Sequence, residues 1–288
     1  MNNFFEKIFG TSNGPIEITL FSVWHILWIV LILGCALAGY FILRKKPQEK
    51  KVKALNVLAC LVIGFYILDF FIMPFSQGKI DIDKLPFHIC TLTGIFVPFV
   101  QFNKKFKPIK NTIVCFAIVS SLMYITYPGS ALGGVTPWCY KVVQTFVYHG
   151  LVFAWGFLSI SLNEAEFNFK EIWKEAVGLV LIILWAAFGN YAYVGIPDGH
   201  HYDWFFITGS TFPFIPSWLM PFVVFAAVFG MCAIIYLINF VIRKIITKSQ
   251  NKKLKQGKNS TATEVTKNAT TEIVETDKVE INKTETSK

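Results

Sequence analysis

Apolar residues along the chain gather in seven long runs, which are separated by short connections rich in polar residues, Gly or Pro. A run of about 20 apolar residues is the length of helix that crosses the hydrocarbon core of a bilayer. The pattern therefore predicts an all-α, polytopic bundle of seven transmembrane helices. The predicted spans are residues 20–43, 54–75, 85–101, 111–127, 141–162, 176–193 and 217–242.

The two ends of the chain have a different pattern from the spans. Residues 1–19 read as a short leader, and the first apolar run is too long for the h-region of a cleavable signal peptide. Residues 243–288 are rich in Lys, Thr, Glu and Asn, a composition that cannot bury enough apolar surface to fold. We therefore expect an extracytoplasmic leader, a transmembrane domain of residues 20–242 and a disordered cytoplasmic tail.

Lys and Arg are distributed unevenly between the two sides of the predicted bundle. Four segments on one side hold 23 of the 27 Lys and Arg residues: 44–53, 102–110, 163–174 and the tail. On the other side, the leader has one, the segment 76–84 two, the segment 128–141 one and the segment 194–216 none. Because Lys and Arg are enriched in cytoplasmic loops, the N-terminus is predicted outside and the C-terminus inside.

The composition agrees with an integral membrane protein. The chain is 54% hydrophobic and only 16% charged, whereas soluble domains average about 45–50% apolar and roughly 25% charged residues. Its formal net charge of +9 is explained by cytoplasmic Lys and Arg, so it does not indicate nucleic acid binding. Membrane lipids are the expected partners, and the cell membrane is the expected location.

Polar side chains inside the spans are predicted to lie in the outer half of the membrane, with nothing comparable in the inner half. They are His25, Asp69, His88, Cys90, His149 and Asn190, and His200 and His201 follow in an outer loop. Each one alone is equally well explained by a hydrogen bond to a neighbouring helix. As a group they favour a polar pocket, because ionisable residues at membrane depth are costly and mark functional sites.

A Cys and a His on different helices form the usual pair of nucleophile and general base. Cys90 is the candidate nucleophile, while the other five cysteines are predicted to be packing residues. On the predicted third helix, which starts at Leu85, His88 and Cys90 point about 200° apart, so His149 is the better candidate base. We expect His88, His25, Asp69 and Asn190 to contribute to substrate binding or to the fold.

Other chemistries lack support in the sequence. A His-x-Cys pair on a helix is poorly placed for joint metal ligation, and acidic ligands are scarce, so no metal site is predicted. The seventh span has no Lys for a Schiff base, and no glycine-rich phosphate loop is present. We therefore expect no cofactor.

Three short motifs resemble the YwaF-like family of bacterial multi-pass membrane proteins: Leu85-Pro86-Phe87-His88-Ile89-Cys90, Tyr127-Pro128-Gly129 and Tyr148-His149. That family is similar to transmembrane protein 164, an animal acyltransferase that uses a Cys in the matching segment and a later His. A related group of small transmembrane lipid hydrolases uses Thr and His instead. The resemblance covers about residues 20–242, and it implies that Cys90 is the nucleophile and His149 the base of acyl transfer.

Two classes of function remain open from the sequence. The first is a lipid acyltransferase or acyl hydrolase that acts in an outer-leaflet pocket. The second is a non-enzymatic transporter or sensor that binds a small solute in the same pocket, with proton coupling at Asp69, His88 or His149. A purely structural role would leave the clustering of polar residues unexplained.

Overall fold

A computed structural model describes residues 16–77, 82–129, 132, 135–193, 203–208 and 214–249. All regular structure in this part of the chain is helical. The long helices are α1 (Val23–Leu43), α2 (Gln48–Gln77), α3 (Ile89–Phe102), α4 (Lys110–Thr126), α5 (Tyr140–Ser161), α6 (Trp173–Ala192) and α7 (Ser217–Ser249). Six are long and apolar enough to cross a membrane, and α3 is a shorter apolar helix. The predicted seven-helix architecture is confirmed, and its orientation in the membrane stays a prediction.

Helices α4 and α5 form the centre of the bundle. In each of them 61% of the most apolar segment is buried, against 11% in α1. Helix α5 packs against α1, α2, α3 and α4. Its contact with α4 is close because a Cβ atom at Gly156 would come within 2.9 Å of Ile118 Cγ1. Small residues at helix crossings allow such close approach in membrane bundles. Side chains on α5 are therefore surrounded by protein.

The chain divides after Tyr236 into two units, Met1–Tyr236 and Leu237–Lys288. The second unit is described as far as Ser249, and α7 runs to that residue. The helix therefore continues beyond the predicted span end at residue 242, because Ile245 and Ile246 extend the apolar pattern. The rest of the predicted tail and most of the leader lie outside the described residues.

The third helix begins later than the sequence pattern predicts. We expected it to start at Leu85 with Pro86 in its first turn, but α3 begins at Ile89. The backbone of His88, its N-cap residue, is extended, with φ −88° and ψ 147°. The indole N–H of Trp185 donates to the carbonyl oxygen of Pro86 at 2.7 Å and so holds the preceding turn in place. His88 thus precedes the helix that carries Cys90, and the predicted angle between them does not apply.

Candidate functional site

Cys90 is the second residue of α3 and is half-buried. Its carbonyl oxygen accepts a hydrogen bond from the Tyr148 hydroxyl at 3.3 Å, and its Sγ lies 4.0 Å from Thr91 Oγ1. The N–H groups in the first turn of a helix have no intrahelical acceptor, and the peptide dipoles place partial positive charge there. The helix N-terminus therefore favours a negative charge on the Cys90 sulfur, whereas the burial of Cys90 opposes it.

One face of α5 carries three polar side chains at intervals of four residues. Tyr140 donates from its hydroxyl to Asp69 Oδ1 at 3.0 Å, and Gln144 Oε1 accepts from Lys84 Nζ at 3.2 Å. Tyr148 is the third and contacts the backbone of Cys90. Residues four apart lie on the same face of a helix, so one rigid element contacts all three partners.

The close approach of Tyr148 to α3 depends on Gly94. A Cβ atom at residue 94 would overlap the Tyr148 hydroxyl, because the ring lies directly against the glycine. The ring of Tyr148 also meets that of His149 edge-on, with centroids 5.2 Å apart. Gly94 is thus required for the contact that brings α5 to the Cys90 backbone.

The side chain of His149 is buried, and its two ring nitrogens are in different environments. Nδ1 lies 2.8 Å from the carbonyl oxygen of Thr145, which can only accept, so Nδ1 carries the proton. Nε2 then carries a lone pair, and it is buried with no hydrogen-bond partner. The ring stacks on Tyr124 at 3.9 Å between centroids and 6° between planes. His149 is thus held in one tautomer and one orientation.

Asp69 forms an ion pair with Lys84 at the end of the bundle where α2 finishes. Lys84 Nζ lies 2.9 Å from Asp69 Oδ2, and the Asp69 side chain is only 2% exposed. A carboxylate buried to this degree needs a cation and hydrogen-bond donors to offset its lost hydration. The ammonium of Lys84 and the hydroxyl of Tyr140 supply both.

His25 is fully buried and uses both ring nitrogens within the protein. Its Nε2 lies 2.8 Å from the carbonyl oxygen of Ile125, and its Nδ1 accepts from the backbone N–H of Phe21 at 3.0 Å. These bonds fasten the start of α1 to the end of α4. In this arrangement neither nitrogen is available to a ligand.

Asn190 and His88 hold the short segment of residues 203–208. The amide of Asn190 donates to Trp204 O at 3.2 Å and accepts from Trp204 N at 2.8 Å, while His88 Nδ1 accepts from Phe205 N at 3.3 Å. Phe205 and Phe206 have φ of 63° and 55°, values that bulky residues rarely adopt. The two polar side chains thus stabilise a strained backbone segment beside the start of α3.

Comparison with known proteins was informative at the level of the family. The sequence model of the TMEM164 family matches residues 20–241, which cover α1 to α6 and most of α7. This chain belongs to the TMEM164 family. No curated protein and no solved structure matches it significantly. The resemblance read from the motifs is confirmed for the TMEM164 family, and the narrower YwaF-like assignment stays a prediction.

The structure connects the predicted site residues of this TMEM164 family member in separate groups. Asp69 is linked to α5 through Lys84, which donates to Gln144. Tyr148, the residue next to His149, donates to the backbone of Cys90. His88 and Asn190 meet at the segment of residues 203–208, and His25 binds the end of α4. His200 and His201 lie outside the described residues.

Several side chains of the candidate site were not predicted from the sequence. In the sequence pattern, Lys84 is one of the charged residues of the connection 76–84, and nothing distinguishes Tyr140 and Gln144. A partner for Asp69 could nevertheless have been sought, because an acidic residue inside an apolar span requires a cation at a similar depth. Lys84 directly precedes the Leu85-Pro86 motif and was the nearest candidate.

A buried carboxylate also lies at the other end of the TMEM164 family bundle, contrary to our expectation that polar groups would gather in one half. Glu175, in the first turn of α6, is fully buried and accepts from the Tyr236 hydroxyl at 2.6 Å. The sequence reading overlooked it because it adjoins a run of loop charges. Its contact joins α6 to α7.

Within the described residues, no group of three or more His, Cys, Asp or Glu side chains could hold a metal ion. The expectation that the site works without a metal or cofactor remains a prediction.

Proposed function

We propose that this TMEM164 family member is a lipid acyltransferase or acyl hydrolase of the cell membrane, with Cys90 as nucleophile and His149 as general base. Membership of the TMEM164 family supports a membrane protein of acyltransferase type. Six helices that are long and apolar enough to cross a membrane support a lipid environment for the protein. A lipid ester is therefore the natural substrate class.

The observation that carries this proposal is the state of His149. A general base needs a lone pair that no other donor occupies, within reach of the proton that it removes. The bond from Nδ1–H to Thr145 O assigns the lone pair to Nε2, which is buried and has no partner. Stacking on Tyr124 holds the ring in this orientation. A histidine used only for packing would be expected to satisfy both nitrogens, as His25 does.

The proposed reaction has two acyl-transfer steps. His149 Nε2 takes the proton of the Cys90 thiol, and the sulfur attacks the carbonyl carbon of the lipid ester. The carbon–sulfur bond forms, the ester carbon–oxygen bond breaks, and the leaving alcohol takes the proton from His149. An acceptor hydroxyl or water then gives its proton to His149, and its oxygen attacks the thioester carbon. The new carbon–oxygen bond forms, the carbon–sulfur bond breaks, and the proton returns from His149 to the Cys90 sulfur.

His88 is our candidate for stabilising the negative oxygen that develops in both steps. Its Nδ1 accepts a hydrogen bond from Phe205 N, so the ring proton is on Nε2, where it can be donated. The N–H groups in the first turn of α3, which begins at Ile89, are additional donors. Donors of this kind, held in place before the reaction, stabilise an oxyanion strongly in a site of low dielectric constant.

A lipid-like electrophilic probe tests the proposal. We expect the probe to label Cys90 in the full-length protein, because in the proposed reaction the Cys90 sulfur accepts an acyl group from a lipid ester. Labelling should disappear in Cys90→Ser. In His149→Ala the labelling rate should fall at least about tenfold, because a positioned general base contributes about a hundredfold or more to the rate. Labelling that is equal in the parent protein and in Cys90→Ser would reject the proposal.

The rival function, a transporter or sensor, is favoured by one observation, the buried ion pair of Asp69 and Lys84. Paired charges at membrane depth are also typical of solute and proton pathways. Purified protein in mixed lipids separates the two functions. A mass-balanced change in lipid composition that requires Cys90 supports the enzyme, whereas proton-dependent solute uptake without lipid change supports the transporter.

A further inference from the structure

The ammonium group of Lys84 is held firmly between two helices. It forms the ion pair with Asp69 at 2.9 Å on α2 and donates to Gln144 at 3.2 Å on α5. The hydroxyl of Tyr66 donates to the carbonyl oxygen of Lys84 at 3.0 Å and fixes its backbone as well. The Lys84 side chain is 25% exposed, so this cation is only partly hydrated.

The ammonium group of Lys84 lies against the same face of α5 that contacts Cys90. Gln144 accepts from Lys84 Nζ, and Tyr148, one turn further along α5, donates to the carbonyl oxygen of Cys90 at 3.3 Å. Tyr66, which donates to the backbone of Lys84, also packs against Tyr148, with ring centroids 6.3 Å apart. Lys84 is therefore a cation fixed near the start of α3, and in a medium of low dielectric constant its charge acts over such separations.

We propose that Lys84 is the positioning residue that stabilises the negative charge on the Cys90 sulfur, and that Asp69 and Gln144 hold it for this task. The inference rests on the proposed function, which assigns to Cys90 the charge that Lys84 offsets. The Cys90 proton moves to His149 Nε2, and the attraction between Lys84 and the sulfur favours that transfer. The same cation repels a protonated His149, so it also favours delivery of the proton to the leaving oxygen.

Among the described residues, the ionisable and polar groups of this region come from several elements. They are Tyr66 and Asp69 on α2, Lys84 in the connection, His88 and Thr91 at the start of α3, Tyr124 on α4, Tyr140, Gln144, Tyr148 and His149 on α5, and Asp203 in the segment of residues 203–208. Lys84 is the one that carries a positive charge at neutral pH without first taking up a proton from Cys90 or solvent. Removing it should therefore change the thiol more than removing a phenol does.

The rate at which iodoacetamide alkylates Cys90, measured against pH by peptide mass spectrometry, tests this role in the full-length protein. Cys35 and Cys60 are exposed, so both are replaced by Ala in the background chain. We expect Lys84→Met to slow alkylation at pH 7 about tenfold and to move the half-maximal rate up by about one pH unit. Lys84→Arg keeps the charge, and it should retain the profile of the background chain.

A second variant covers the case in which Lys84→Met does not fold because Asp69 has lost its cation. The double variant Asp69→Asn/Lys84→Met removes both charges and should give the same upward displacement. An unchanged pH profile in whichever of these variants folds would overturn the inference, as would a background chain whose Cys90 is not alkylated at any pH.

Lipid turnover measured on the same samples separates this inference from the proposed function. If the alkylation profile of Cys90 changes in the Lys84 variants but no lipid is turned over, the proposed reaction is rejected and the role of Lys84 is supported. If lipid turnover requires Cys90 but the alkylation profile is the same with and without Lys84, the role of Lys84 is rejected and the reaction is supported.

Discussion

At the scale of single residues, His25 and His149 show that two histidines inside predicted spans can differ completely in chemistry. Both nitrogens of His25 are hydrogen-bonded, whereas Nε2 of His149 has no partner. The apolar pattern predicts that both are costly to bury but does not predict their hydrogen-bond partners. Those partners are backbone atoms of Phe21, Ile125 and Thr145, whose positions depend on how the helices pack.

Gly94 gives a prediction at this scale. Gly94→Ala would force the Tyr148 ring away from α3, and such overpacking typically costs about 1–3 kcal/mol. We expect lower thermal stability in detergent and weaker probe labelling of Cys90, because the contact of Tyr148 with the Cys90 backbone is lost.

Gly64→Ala on α2 is the matched control, because a Cβ atom there meets nothing within 4 Å. Adding Tyr148→Phe to Gly94→Ala removes the hydroxyl that overlaps the new methyl group and should restore part of the thermal stability. If Gly94→Ala and Gly64→Ala are equally stable, the close packing of Tyr148 on Gly94 is wrong.

At the scale of elements, the helices were predicted well where an apolar run has clear ends. The predicted fourth and fifth spans, residues 111–127 and 141–162, differ by a single residue at each end from α4 and α5. The start of α3 was predicted four residues too early. Pro86 suits the first turn of a helix, and residues 85–87, directly before His88, are apolar like the helix itself. The contact of Trp185 with Pro86 decides that boundary, and it joins residues far apart in the sequence.

Asn190 provides a prediction for the segment of residues 203–208. Asn190→Ala leaves a buried N–H and a buried C=O of Trp204 without these bonds, at a cost of about 1–3 kcal/mol for each group. Because Phe205 and Phe206 are strained, we expect this segment to leave its conformation. Its backbone hydrogen exchange, measured by mass spectrometry, should become at least about tenfold faster, as each 1.4 kcal/mol is a factor of ten.

Asn111 offers a matched control for Asn190. Its side chain bonds to the backbone N and O of Glu166 in the same two-point arrangement, but at an exposed position. Water can replace both bonds there, so Asn111→Ala should affect local exchange and stability only slightly. Equal effects of the two substitutions would contradict the special role of the buried pair.

At the scale of the whole molecule, the sequence predicts seven apolar helices and the family. The structure adds the contacts between residues on different helices. Seven apolar runs can be recognised from their length alone. The grouping of Asp69, Lys84 and α5 depends on helix packing, which local patterns do not encode. The buried Glu175 at the opposite end was missed because it adjoins a run of loop charges, and its contact with Tyr236 on the next long helix depends on packing.

The orientation of the bundle is the prediction that belongs to this scale. In a background without Cys35 and Cys60, we expect Lys105→Cys to react with a membrane-impermeant maleimide only after the membrane is opened. Tyr127→Cys, at an exposed position on the opposite side, should react in intact cells. These outcomes follow from the excess of Lys and Arg on the cytoplasmic side. The reverse pattern would invert the topology.

The burial of His149 bears on which acceptor receives the acyl group. Nε2 is buried, and the ring that carries it lies between the stacked ring of Tyr124 and the edge-on ring of Tyr148. A water molecule that reaches this nitrogen must leave bulk solvent and give up hydrogen bonds. A lipid alcohol instead arrives with its hydroxyl already carried by an apolar chain. In the proposed reaction, the competition between these two acceptors therefore favours a new ester over a free fatty acid.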